Sequence, residues 1–273
     1  MFDHLLNLAV SADHGPGTIM KQIPNFFTLL NLVFGCLAIV NILQTGQDIV
    51  YIEPAGYTTV DLPENIVLGA IFIFAAALVD FLDGFIARLF KASSEMGKQL
   101  DSLADLVSFG VAPGMILYQM LRISFAKEAG GLDTLLIVLV PAFVLPCVAA
   151  WRLARFNLDT SQAYSFKGAP TPAVGLTIAS LPLIIHYNQF DLQQLLFNKW
   201  FVYVTILFLS YLMVSNISFI SLKSKPGGLK NYMPVLVLAV IAVIAAILSG
   251  WLAVPIVFIA YLIVSLAFKN KIA

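Results

Sequence analysis

Long apolar runs dominate this chain, and short polar segments punctuate them. Runs of about 20 residues, enough to cross the hydrocarbon core of a bilayer, lie near 24–43, 66–90, 99–121, 134–155, 170–187, 200–220, 232–249 and 251–268. The pattern predicts eight helices. The last two are short and are parted mainly by Gly250. Joined, they would exceed a single crossing, so a hairpin is predicted. Pro24 is placed to start the first helix. Asn25, Thr28 and Asn31 follow it as a polar stripe at one end.

Composition sharpens this picture. Hydrophobic residues make up 60% and charged residues 11% of the 273. Such a chain is expected to be an all-α polytopic membrane bundle, not a soluble globule. With the amino terminus inside, the inner segments hold Lys21, Arg88, Lys91, Lys98, Arg152, Arg155, Lys167, Lys223, Lys225, Lys230, Lys269 and Lys271. The outer segments hold only Arg122, Lys127 and Lys199. Twelve basic residues against three is a positive-inside bias, and it predicts that both termini are cytoplasmic. Residues 1–22 lack the layout of a cleaved signal and read as a cytoplasmic segment. His4 and His14 stand alone there. Net charge is zero, so charge gives no reason to expect a nucleic-acid partner. Cys36 and Cys147 fall inside apolar runs and are expected to be packed thiols.

Against this background the stretch from Asp80 to Asp105 stands out. Asp80, Asp83, Asp101 and Asp105 sit among residues that otherwise look membrane-embedded. Ionised groups at such depth are costly and are functional by default. Asp80 and Asp83 are three apart, and Asp101 and Asp105 four apart, so each pair shares a helix face. Gly97, Asp101, Asp105 and Ser108 form one stripe of small and acidic residues. The stretch from Arg88 to Lys98 allows a turn and a return, so two helices can hold four carboxylates between them. Like charges so close need cations. Oxygen-only ligands suit Mg²⁺ or Mn²⁺, and two divalent cations would balance four carboxylates. Such a site holds phosphates and drives displacement at phosphorus. Gly84 leaves room for a phosphate beside the backbone, and Gly84 and Gly97 together permit close helix packing. Arg88 can fork onto phosphate oxygens.

The pattern D-x2-D-G-x2-A-R-x8-G-x3-D-x3-D, filled by Asp80, Asp83, Gly84, Ala87, Arg88, Gly97, Asp101 and Asp105, resembles the signature of the CDP-alcohol phosphotransferase family. The resemblance implies a six-helix core, here 23–222, with residues 223–273 adding a basic loop and two helices. It implies that Asp80 and Asp101 bridge two metals, that Asp83 completes one, and that Asp105 serves the other and takes the proton from the acceptor alcohol. It also implies that Ser94 touches the nucleotide diphosphate and that the protein is a homodimer. From their residues alone, Ser93 and Ser94, which precede Glu95, are placed to cap a helix. Asn25 and Thr28 suit either helix capping and interhelical bonding or contact with a nucleotide head group; both readings stay open.

Farther on, Arg152, Arg155, Phe156 and Asn157 close the fourth helix, and Phe166 to Pro172 reads FKGAPTP. Gly and Pro there mark a tight re-entry into the fifth helix. The pair of segments is similar to the phosphatidylserine synthase branch, with Ala169 where Leu is usual. Arg152, Arg155 and Lys167 near an acidic site could bind an anion. Serine carries a carboxylate and glycerol phosphate a phosphate, so charge does not choose the acceptor. The resemblance implies transfer of the phosphatidyl group from CDP-diacylglycerol to L-serine, in a bacterial cytoplasmic membrane among membrane lipids, with the site facing the cytoplasm. Alternatives are glycerol 3-phosphate or inositol as acceptor, and a cation transporter that uses the acids as a pathway. A transporter would spread its acids through the membrane depth, and these cluster at one end.

Overall fold

The computed structural model describes residues 16–44, 50–52, 58–60, 62–90, 94–128, 134–158, 165–188, 190–220 and 233–267. His4, His14 and the basic loop at Lys223, Lys225 and Lys230 lie outside them, as do Lys91, Lys269 and Lys271. The long helices among the described residues are α1 Pro16–Leu43, α2 Glu64–Leu89, α3 Glu95–Ala126, α4 Leu136–Leu158, α5 Thr171–Tyr187, α6 Lys199–Val214, α7 Met233–Ser249 and α8 Ala253–Ala267. All are apolar along most of their length. α1 from Pro24, α2, α3 and α4 are each long and apolar enough to cross a membrane, as is the 233–267 stretch, while α5 and α6 are shorter, at 17 and 16 residues. The protein is an integral membrane helix bundle.

α3 is the central post, packed against α1, α2, α4, α5 and α6. Its Phe109, Ile116, Leu117 and Met120 are fully enclosed. α3 is not uniform: a π-helical turn spans Leu106–Val111 and starts directly after Asp105. The Ala112 N–H bonds the Val107 carbonyl, five residues back. A π turn rotates all that follows relative to an α-helix. Ser108, within this turn, meets α1, where its hydroxyl donates to the Asn31 carbonyl at 3.1 Å.

The hairpin expected at Gly250 is present. Gly250 has φ +51°, and Leu238 of α7 packs with Val264 of α8, which a straight helix would hold far apart. α8 leans on α5, and Tyr261 stacks near Phe219 at 5.3 Å between ring centres. Much of α7 remains exposed, including Val240, Ile244 and Ile247, as suits a helix facing lipid.

Four details differ from the sequence reading. Pro24 falls inside α1, not at its start; membrane-spanning helices tolerate an interior proline where neighbouring groups re-satisfy the freed backbone. The sixth helix ends at Val214, not near 220. Beyond it, β4 Ser218–Ile220 pairs antiparallel with β3 Ser165–Lys167, in register Phe166↔Phe219. A second short ladder joins β1 Val50–Ile52 and β2 Thr58–Val60. Finally, Cys36 and Cys147 are free and exposed on the bundle surface. They lie on helix faces turned away from the core, where a small apolar thiol costs nothing in lipid.

Ladder β3–β4 matters for the site. Gly168 follows it with φ +83°, and an added Cβ would strike the Met213 carbonyl oxygen. Its N–H bonds the Ile217 carbonyl at 2.9 Å, and the Ala169 N–H bonds that of Leu212, also at 2.9 Å. The start of α5 is thereby pinned to the end of α6. The tight Gly–Pro re-entry is as expected.

Candidate active site

The acids gather where α2 ends and α3 begins. One carboxylate oxygen each from Asp80, Asp101 and Asp105 lies within 4.8 Å of the others. Asp105 is buried, and its Oδ1 has no hydrogen-bond partner among the described residues. Asp83, one turn beyond Asp80, is buried as well but stands outside this trio. Its Oδ2 accepts a 2.8 Å hydrogen bond from the Thr28 hydroxyl of α1.

A cavity of about 550 Å³ opens beside them, lined by Asn25, Thr28, Asp83, Gly84, Gly97 and Asp101, among others. That volume falls in the ~300–1,000 Å³ range of small-molecule sites. Ser94 sits on its wall as the N-cap of α3, with Oγ accepting from the Gly97 N–H at 2.9 Å. A Cβ on Gly97 would lie 3.0 Å from Asn25 Oδ1, so the missing side chain lets α1 close onto α3. Gly84 is different. A Cβ there would meet only Arg88 Nη1, at 3.9 Å. Of the two glycines expected to permit helix packing, Gly97 does so; Gly84 packs against no neighbouring helix and leaves open space at the cavity wall. Arg88 is exposed at the end of α2, folded back toward Gly84.

On the far side of Asp101 lies a smaller cavity of about 160 Å³. Lys98 and Asp101 line both cavities; Asp105, Arg152 and Asn157 line only the smaller one. Arg152 is buried and anchored by Nη1 donating to Thr171 Oγ1 at 3.0 Å. Arg155 and Lys167 do not reach this cavity. They line an adjoining crevice with Arg152, and Arg155 Nη2 bonds Asn216 Oδ1 at 3.1 Å. Of the three cations expected to bind an anion, one faces the acids.

A family model for CDP-alcohol phosphatidyltransferase matches residues 21–211. This chain is a member of that family. Among its relatives is the CDP-diacylglycerol–serine O-phosphatidyltransferase of Bacillus subtilis, 32% identical over 201 residues, which cover 73% of this chain and 90% of that protein. Proteins of the same description in Helicobacter pylori (strain 26695) and Saccharomyces cerevisiae are 33% and 35% identical; the matches cover 60% and 54% of this chain, and 65% and 49% of those proteins. The family match stops before α7 and α8, so the hairpin lies outside it.

The residues of this phosphatidyltransferase fit a divalent cation. Three hard oxygen donors converge, and Asp105 Oδ1 is buried without a partner, an arrangement costly unless a cation or an occupant answers it. Several groups at the site escaped the sequence reading of its chemistry. Ser102 and Asn157 join α3 to α4 by a 2.9 Å hydrogen bond. Thr171 holds Arg152. Ser102 follows Asp101 directly and Asn157 follows Arg155 by two, so nearness to the motif residues was the available signal; nothing in the spacing says that they meet.

Proposed function

We propose that this phosphatidyltransferase moves the phosphatidyl group from CDP-diacylglycerol to L-serine, giving phosphatidylserine and CMP. The observation that carries this reading is that Asp101 of the acidic trio lines two cavities of unequal size, the smaller of which Asp105 also lines. The larger has room for a nucleotide diphosphate, the smaller for an amino acid. The names of the relatives support the same donor and acceptor.

Asp80, Asp83, Asp101 and Asp105 would hold two divalent cations, Mg²⁺ or Mn²⁺. When bound, these supply positive charge against the diphosphate and the leaving CMP. Gly84 leaves space for the donor phosphate at the wall of the larger cavity; Asn25 and Ser94, which line it, and Arg88, exposed beside Gly84, would meet the CDP moiety. Thr28 serves by fixing Asp83. Asp105 accepts the proton of the serine hydroxyl. The serine oxygen then bonds to the phosphorus carrying diacylglycerol, and the bond from that phosphorus to the bridging oxygen breaks as CMP departs. Arg152 faces the serine carboxylate, while Arg155 and Lys167 add positive charge nearby. The acyl chains stay in the bilayer beside the exposed Phe81 and Phe85 of α2.

The reading includes a homodimer, a catalytic domain at 23–222 with an added hairpin at 223–273, and a site facing the cytoplasm of a bacterial cell with both termini inside. The Lys/Arg bias supports that orientation, and the family resemblance supports the dimer.

The test offers labelled L-serine, glycerol 3-phosphate and inositol separately to purified protein with CDP-diacylglycerol and Mg²⁺ or Mn²⁺. Phosphatidylserine and CMP in equal amounts are expected from serine alone. Product from another acceptor and none from serine would overturn the choice.

A further inference from the structure

Three side chains lining the smaller cavity each carry a buried polar atom with no hydrogen-bond partner: Asp105 Oδ1, Arg152 Nε and Asn157 Oδ1. Unmade bonds of this kind are rare in folded proteins and call for an explanation. Their chemistry is specific. One is a carboxylate acceptor, one a cationic donor and one a neutral acceptor.

The direction of the Asn157 amide follows from its neighbours. Ser102 has one hydroxyl proton, and it goes to the Lys98 carbonyl at 3.2 Å. Ser102 Oγ must then accept from Asn157, which fixes Nδ2 on that side at 2.9 Å. Oδ1 is left over as an acceptor. It cannot serve a carboxylate or a phosphate, both of which bring only lone pairs.

We propose that Asn157 is the residue that recognises the amino group of the acceptor, and so distinguishes L-serine from the same hydroxy acid without that group. The inference rests on the serine reading above and deepens it. L-serine carries one partner for each orphan atom: its ammonium donates to Asn157 Oδ1, its carboxylate accepts from Arg152 Nε, and its hydroxyl donates to Asp105 Oδ1. All three protein atoms are buried without a partner, and the cavity that their residues line is where an occupant would meet them. Ser102 is a positioning residue that holds the amide the right way round.

The test compares L-serine with 3-hydroxypropionate, which is serine without its amino group, in the wild type, Asn157→Ala and Ser102→Ala. The wild type should prefer serine by about 10- to 100-fold in kcat/KM, the range expected for one hydrogen bond to a charged group. Asn157→Ala should raise the KM for serine by a similar factor, with kcat and the KM for CDP-diacylglycerol little changed, and should leave 3-hydroxypropionate unaffected. Ser102→Ala should shift the serine KM the same way by less. Equal use of both acceptors by the wild type would overturn the proposal, whatever the variants do. So would an Asn157→Ala protein that treats both acceptors as the wild type does, or that loses both alike. A wild type that makes no phosphatidylserine at all would instead remove the serine reading, and this proposal with it.

Discussion

Thr28 of α1 donates a 2.8 Å hydrogen bond to Asp83 of α2, across 55 positions of chain. The same hydroxyl lies 3.1 Å from the Pro24 carbonyl. One proton cannot serve both at once, and the carboxylate contact is shorter and charge-assisted. The bond positions the one acid that stands apart from the trio. Thr28→Val keeps the shape and removes the donor. It should lower activity about tenfold and raise the metal concentration needed for half-maximal rate, while Thr28→Ser should stay near wild type. A metal titration of the three proteins measures this; an unchanged Thr28→Val would contradict the role.

Asp105 is buried, and its Oδ1 has no hydrogen-bond partner among the described residues. Asp105→Asn preserves volume and removes the base. The protein should fold, elute as the wild type does in detergent, and lose about 10²–10⁴-fold in turnover, the usual contribution of general-base help. Retention of most activity would show that another group takes the proton.

Gly84 and Gly97 separate binding from packing. Gly84 has no helix against it, so Gly84→Ala should fold normally and raise the KM for CDP-diacylglycerol. In Gly97→Ala the new methyl meets Asn25 Oδ1 at 3.0 Å, so thermal stability should fall as well. Melting temperatures and donor KM values of the two variants check the division. Equal loss of stability in both would contradict it.

Gly168 has φ +83° and no space for a side chain. Gly168→Ala should destabilise the protein by more than ~1 kcal/mol, as substitutions at incompatible backbone positions do. It should also loosen Thr171 and with it Arg152, so the KM for serine should rise. Thermal melting in detergent together with serine kinetics tests both effects.

Much of this was legible in the residues. Apolar runs located the helices because a bilayer demands about 20 residues per crossing. The spacing of Asp80 and Asp83, and of Asp101 and Asp105, put each pair on one helix face because helical period fixes direction. Ser94 as a cap and Gly168 as a turn carry strong local preferences. What stayed hidden depended on how helices meet. Period says which face Asp83 occupies, not that Thr28 will arrive there. It says that Arg152 and Arg155 are near one another on a helix, but a small rotation sends Arg152 to the acids and Arg155 to Asn216. The π turn after Asp105 leaves no mark in the hydrophobic pattern. The β3–β4 ladder pairs residues far apart in sequence, which no local signal encodes.

The most direct test of the account counts Mn²⁺ bound by purified protein in the presence of CDP-diacylglycerol, and follows CMP release in the same samples, for the wild type and Asp101→Asn. The account predicts two ions per wild-type chain, with serine-dependent CMP release that chelation abolishes, and loss of both ion binding and release in Asp101→Asn. An Asp101→Asn protein that kept its Mn²⁺ and released CMP at the wild-type rate would contradict it.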